Sequence, residues 1–267
     1  MQCTSKTRIG VIFPDDGAFP YELTDHRLIT NWLADHNMKN IEYILCLQQC
    51  ETPASLAATE VELCEYWAAE NALSAAARQL GNKGCHSVVF ACTSAGFFGG
   101  IQYAQRQVQL ISESAGALAS STSMAFLAAL DVLGVKRVDI LSPYDPEITE
   151  LFVNFLSDVG ISVGSVGHMR QPPSGRAFDI DCAAELAEFT SLTPPSTDPI
   201  LIPCTSVSSL KCAEYFEAIS GRAVITANQV TLWHALVLAG LTPSIADASS
   251  FLRSCLQMRG AALPLQI

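Results

Sequence analysis

Two apolar runs in this chain end in the same tripeptide. One closes on Cys92-Thr93-Ser94 and passes into a glycine-bearing turn, within VVFACTSAGFFGG. The other closes on Cys204-Thr205-Ser206, within PILIPCTS. Short apolar runs bounded by turn signals read as buried strands, so each delivers a thiol and two hydroxyls to a strand's carboxyl end. The segments ahead of them also match. RIGVIFP at 8–14 and RVDILSP at 137–143 each run from an arginine through apolar residues to a proline. A chain that repeats such a pattern folds as two similar units.

Strand and helix patterns alternate along both halves. Strand candidates lie at 8–13, 41–47, 87–92, 137–141, 161–166, 200–203 and 224–226. Helical spacing covers 22–36, and then 55–81 through Val61, Cys64, Trp67, Leu73, Ala76 and Leu80, with Gly81 as the expected stop. Val108 to Ile111 and the small residues after it lead into a helix near 122–133. Asp145 is placed to N-cap the next helix, with Pro146 at its first position and Ile148, Leu151, Phe152, Phe155 and Leu156 as its stripe. Residues 168–178 read as a polar Gly/Pro loop. Helices follow near 180–190, 208–219 and 228–239, the last opened by Asn228 and Gln229 as capping residues. The expected fold class is α/β: two similar lobes with parallel sheets and the ligand in the cleft between them. The expected lobes are 1–118 plus 230–267, and 119–229. Ligands of open α/β sheets bind at the carboxyl ends of strands, where the pattern puts Pro14, Cys92, Tyr144 and Cys204.

Composition narrows the function. With 267 residues, 49% apolar and 15% charged, the chain is a well-buried globular protein. A net charge of −11 disfavours nucleic acid and anionic membranes as partners. A carboxylate substrate remains compatible, because backbone N–H groups can hold one. No signal-peptide pattern and no membrane-length apolar run is present, and a cytoplasmic location is expected. Cys46 and Cys50 lack a matching His pair, so no metal is expected. The sequence leaves a homo-oligomer open.

The two tripeptides carry the chemistry. Free N–H groups and a helix start beside a thiol lower its pKa. Thr93, Ser94, Thr205 and Ser206 can hold a carboxylate and the charge that develops on it. With Cys92 and Cys204 on opposite sides of a bound carbon, one takes a proton as thiolate while the other gives one as thiol. Either could instead add to an activated double bond. Tyr144 is a substrate-facing donor by position, and Pro14 and Asp15 are placed beside the site by the repeat. Cys3, Cys46, Cys50, Cys64, Cys85, Cys182, Cys212 and Cys255 lack the Thr-Ser context and read as packing or surface residues. His168 reads as a surface or lid residue, and His26, His36, His86 and His234 as structural.

These motifs resemble the aspartate/glutamate racemase superfamily, and within it the maleate cis-trans isomerase and arylmalonate decarboxylase branch. The resemblance rests on RIGVIFP, FACTSAGFFGG, LAALDVLGVKRVDILSPY, IPCTSVSSL and ITANQVTLWHALVLAG, which span nearly the whole chain in the family's order. It implies two Rossmann-like lobes related by a pseudo-twofold axis, a site in the cleft and no cofactor. It implies that Cys92 and Cys204 match the catalytic pair of the racemases. In maleate isomerases the first of these adds to the double bond and the second handles the proton. Arylmalonate decarboxylases keep only the second. Their Thr-Ser and the tyrosine matching Tyr144 form a dioxyanion hole. Two departures stand out. The turn after the first strand reads Pro14-Asp15-Asp16-Gly17 where maleate isomerases carry an asparagine, and the loop around His168 lacks the family asparagine. The expected activity is a cofactor-independent isomerase or racemase of a small carboxylate, with decarboxylation of a substituted malonate as the alternative.

Overall fold

The computed structural model describes residues 6–14, 40–48, 59–210 and 213–241. Asp15, Asp16 and the helix expected at 22–36 lie outside them, as do Cys3, Cys50, Cys212, Cys255, His26 and His36. The first sheet holds β1 (Thr7–Phe13), β2 (Ile41–Leu47), β3 (Ser87–Phe90) and β4 (Leu118–Ser121), in the order β2-β1-β3-β4. The second holds β5 (Arg137–Ser142), β6 (Ser162–His168), β7 (Ile200–Ile202) and β8 (Val224–Thr226), in the order β6-β5-β7-β8. All pairings are parallel. The two orders are identical once four is added to each strand number of the first, so the duplication in the sequence is a duplication of topology.

The helices are α1 (Glu60–Trp67), α2 (Glu70–Asn82), α3 (Ser94–Phe97), α4 (Gly100–Ala115), α5 (Thr122–Val132), α6 (Pro146–Ser157), α7 (Cys182–Leu192), α8 (Ala213–Ser220) and α9 (Ala227–Leu238). Parallel strands covered on both faces are apolar throughout. Leu73, Ala76, Ala77 and Leu80 of α2 pack against Ile12, Val88 and Phe90 on one face of the first sheet. Leu232, Ala235 and Leu236 of α9 cover Ile9, Val11 and Val89 on the other. On the second sheet, Phe152 and Phe155 of α6 meet Val138 and Ile140, while Leu186 and Phe189 of α7 meet Leu141 and Ile200. Helix α9 is buried along Ala227–Leu236 because it also gives Val230 and Trp233 to the core of the second sheet. A helix wedged between two layers is buried all round, and here its polar side chains Asn228, Gln229, Thr231 and His234 are buried with the rest.

Three expectations change. The helical run ending near residue 81 is two helices, broken at Ala68-Ala69, where Ala69 leaves helical geometry at ψ 118°. Gly81 does not end its helix, which runs to Asn82, and the left-handed residue beyond it is Gly84. Gly81 instead allows a close approach: a Cβ there would lie 2.2 Å from the Ala115 carbonyl oxygen. Val108 to Ile111 lies inside α4, and the small residues after it include the strand β4. The Asp145 cap is as expected, its carboxylate accepting from the Ile148 N–H at 2.9 Å.

His234 is structural, and it makes the fold acid-sensitive. It is 3% exposed, and its Nδ1 pairs with the Ser120 hydroxyl at 2.9 Å. Burial pushes its pKa down from 6.5 to about 4. Above pH 6.5 the ring is neutral whether the chain is folded or not. Between there and about pH 4 the unfolded chain binds a proton that the folded one refuses, so stability falls as pH falls. The loss should reach ~3 kcal/mol near pH 4. Urea unfolding between pH 7 and 4.5 should show this slope, and His234→Gln should flatten it. An unchanged slope in the variant would assign the acid sensitivity to carboxylates instead.

Candidate active site

The carboxyl ends of β1, β3, β5 and β7 face one cavity of about 400 Å³. Pro14, Cys92, Thr93, Ser94, Tyr144, Cys204, Thr205 and Ser206 all line it, and each lobe contributes one of the two thiols. Of the site residues expected from sequence, only Asp15 is outside the described residues. Cys92 and Cys204 are 5% and 8% exposed, so each sulfur is shielded from bulk water yet reaches the cavity.

The two tripeptides are held differently. Thr93 leads into the one-turn helix α3, which lies tight on the start of α5. A Cβ at Gly96 would sit 2.3 Å from the Ser123 hydroxyl oxygen. That hydroxyl donates to the Thr93 carbonyl at 2.8 Å, fixing the turn behind Cys92. Cys204 was expected at a helix start but leads into a turn, and residues 205–210 are not helical. The Asn228 amide donates to the Thr205 and Val207 carbonyls at 3.0 and 3.4 Å, engaging oxygens that a helix there would use. Asn228 therefore does not cap α9: Thr226 is the N-cap, and Gln229 closes the capping box by accepting from the Thr226 N–H at 3.1 Å. Thr205 gives its hydroxyl to the Ala91 carbonyl at 3.4 Å, tying the second thiol loop to the first.

Tyr144 joins the two halves of the site. Its hydroxyl donates to the Pro203 carbonyl and lies within reach of Cys204 and Thr93. Burial, followed by the negative charge available to Cys204 and Cys92, holds its pKa well above the phenolic value. The hydroxyl therefore keeps its proton and remains a donor. The ring packs edge-on against Phe97 at 6.0 Å, and its backbone is fixed by Ser142 Oγ accepting from the Tyr144 N–H at 3.2 Å. Thr93 Oγ1 is buried and makes no hydrogen bond of normal geometry. A buried hydroxyl in that state costs stability unless a ligand takes it up.

Several cavity residues were not anticipated as site residues. Helix α1 lends Glu60, Leu63, Cys64 and Trp67, which stand at i, i+3, i+4 and i+7; of these only Cys64 and Trp67 belong to the apolar periodicity read from the sequence. Cys64 is as buried as a packing residue, at 1% exposed, but it borders the cavity and lies within hydrogen-bonding reach of Ser94. Burial pushes its thiol up to about 11, so it stays protonated at neutral pH. From the other lobe come Gln171, Gly175, Arg176, Ala177 and Phe178. Gln171 anchors this loop by donating to the Pro143 carbonyl at 2.7 Å. His168 is exposed, with Nδ1 3.2 Å from the Tyr144 carbonyl oxygen.

Fold and site together define a duplicated α/β protein with a thiol from each lobe on a shared cavity. The chain belongs to the arylmalonate decarboxylase family, whose sequence profile matches residues 51–252. It is 26% identical over 170 residues to an arylmalonate decarboxylase of Bordetella bronchiseptica, covering 61% of this chain and 69% of that one. It is equally 26% identical over 169 residues to a maleate isomerase of Pseudomonas putida, covering 61% and 68%. Among solved structures, a Pseudomonas putida maleate isomerase with maleate superposes at a TM-score of 0.76 with 18% identity, covering 93% of this chain and 98% of that one. A Nocardia farcinica maleate cis-trans isomerase superposes at 0.73 with 20% identity, covering 92% and 98%. Unliganded arylmalonate decarboxylase superposes at 0.66 with 21% identity, covering 88% and 93%. The family thus holds both isomerases and decarboxylases. Among the described residues no helix is long and apolar enough to cross a membrane.

Proposed function

We propose that the protein is a cofactor-independent isomerase or racemase of a small carboxylate, with Cys92 and Cys204 as the reacting groups. The observation that carries this reading is the pair of thiols, one from each lobe, on a single cavity beside the hydroxyls of Thr93 and Tyr144. In the racemase form, the thiolate of one cysteine removes the proton α to the substrate carboxylate. The electron pair left on carbon delocalises into that carboxylate as an enediolate. The thiol of the other cysteine then protonates the opposite face. In the isomerase form, the Cys92 thiolate adds to one carbon of a double bond while the π pair on the other carbon takes a proton from the Cys204 thiol. Rotation follows about the new single bond, and return of that proton to the Cys204 thiolate with expulsion of the Cys92 thiolate restores the double bond. The addition route is supported by the relative from Nocardia farcinica, which carries a covalently bound succinylcysteine intermediate.

Both forms place extra charge on a carboxylate, and the cradle suits that demand. Thr93 offers a buried hydroxyl with no partner of normal geometry, and Tyr144 a hydroxyl that does not ionise and would exchange its Pro203 carbonyl acceptor for the substrate. Preorganised donors aimed at developing charge contribute most where water is excluded. The same cradle favours a second reading, decarboxylation of a substituted malonate. There the bond to one carboxylate breaks, carbon dioxide leaves and Cys204 protonates the carbanion.

Incubation of candidate carboxylates in D₂O separates these outcomes. A racemase exchanges the α-hydrogen for deuterium, an addition–elimination isomerase changes alkene geometry, and a decarboxylase releases carbon dioxide. A thiol pair inert in all three assays, and slow to alkylate at neutral pH, would leave a binding protein and end the enzymatic reading.

A further inference from the structure

The stripe on α1 says what kind of carboxylate the cavity accepts. Among the described residues lining it, Glu60 is the one carboxylate and Arg176 the one fixed cation. The guanidinium of Arg176 is already matched, with Nε and Nη2 on Asp179 Oδ2 at 2.8 and 2.5 Å. Glu60 is not matched in this way. It accepts a hydrogen bond from the Asp145 backbone and pairs with no cation among the described residues. Burial, then the carboxylate of Asp145, and more weakly that of Glu147, make its negative charge unfavourable. This end of the cavity is therefore short of positive charge.

We infer that Glu60 is a specificity-determining residue, which selects a monocarboxylate carrying a hydrogen-bond donor at its far end over a dicarboxylate. The inference rests on the carboxylate reading given above. One carboxylate of the substrate lies among the hydroxyls of Thr93, Ser94 and Tyr144. Leu63, Trp67 and Phe178 line the same cavity and offer apolar surface to the body of the substrate. A second carboxylate at the rim would meet Glu60 with like charge. An ammonium, hydroxyl or amide N–H would instead supply what Glu60 lacks. Glu60 is exposed to water, which places it at the mouth of the cavity and makes the preference a modest one.

Titration calorimetry on the full chain with succinate, succinamate and 4-aminobutanoate tests this, because the three differ mainly in the far group. The wild-type protein should bind the amide and the amine about two- to fivefold more tightly than the dianion, the scale of one like-charge contact at an exposed site. Glu60→Gln keeps the shape and should erase or reverse the ratio, and Glu60→Ala should do the same. Glu147→Gln removes a nearby charge that does not line the cavity and should leave the ratio unchanged. A preference for succinate in the wild type, or a ratio that survives Glu60→Gln, would overturn the inference while the carboxylate reading stands. Failure of all three probes to bind would overturn both. Selective binding by a protein inert in the exchange, alkene-geometry and carbon dioxide assays would keep the specificity and sink the chemistry.

Discussion

Replacing Cys204 with serine should lower turnover by about 10²–10⁴-fold, the usual contribution of a positioned acid or base. A serine hydroxyl occupies nearly the same space but neither ionises near neutral pH nor donates as readily as a thiol. The variant should therefore keep its fold and its substrate affinity while losing kcat. Cys92→Ser is expected to match that loss if the reaction is racemisation or addition, since both need two sulfurs. If Cys92→Ser keeps most of its rate while Cys204→Ser is inactive, the enzyme is a decarboxylase. Steady-state kinetics on the two variants, with melting temperatures as a fold control, make the distinction. Equal and near-complete retention of activity in both would remove the thiols from the mechanism.

The second large effect concerns stability and lies away from the cavity. Asp139 on β5 and Arg222 before β8 form an ion pair at 2.6 Å with side chains only 2% and 5% exposed. Asp139 also accepts the Ser165 N–H at 2.7 Å, and Arg222 Nε donates to the Asp198 carbonyl at 2.8 Å. The carboxylate lies so close to β6 that a Cβ at Gly164 would fall 2.4 Å from Asp139 Oδ1. This is where the register between β5 and β6 shifts, so the pair fastens the second sheet where its ladder is irregular. Asp139→Ala should cost about 3–5 kcal/mol, because it leaves a buried guanidinium uncompensated. Removing both charges in Asp139→Leu/Arg222→Met should recover much of the loss. Denaturant unfolding of the single and double variants measures this. A loss below ~1 kcal/mol in Asp139→Ala would mean that water replaces the carboxylate. Neither residue lines the cavity, so kcat of the folded fraction should hold, unlike in the cysteine variants.

Segments whose own residues fix their environment were legible in the sequence. The first and fifth strands are dominated by apolar residues because both faces of their sheets are covered, with Asp139 of β5 the buried exception. The cap at Asp145 is a local interaction spanning a single helical turn. The strand β4 was not legible. Leu118-Ala119-Ser120-Ser121 has little β-propensity, and it is a strand because it docks on the edge of β3. Helix α4 hides its buried side in Ala104, Gln107 and Ile111, of which only Ile111 is a large apolar residue. Cys64 and Trp67 of α1 were visible in a periodicity and Glu60 and Leu63 were not, and periodicity reports a buried face without saying whether core or cavity lies against it.

The sequence by itself determined the duplication, the alternation of strand and helix, and the thiol and hydroxyls at two strand ends, because each is written in contiguous residues. It could not determine that Cys204 enters a turn, since that follows from an amide on Asn228 many residues away. Nor could it show Glu60 and Arg176 on the same cavity, which depends on how one lobe is set against the other. Local pattern specifies which groups reach a strand's end. Only packing between the lobes decides which of those groups face each other across the cleft.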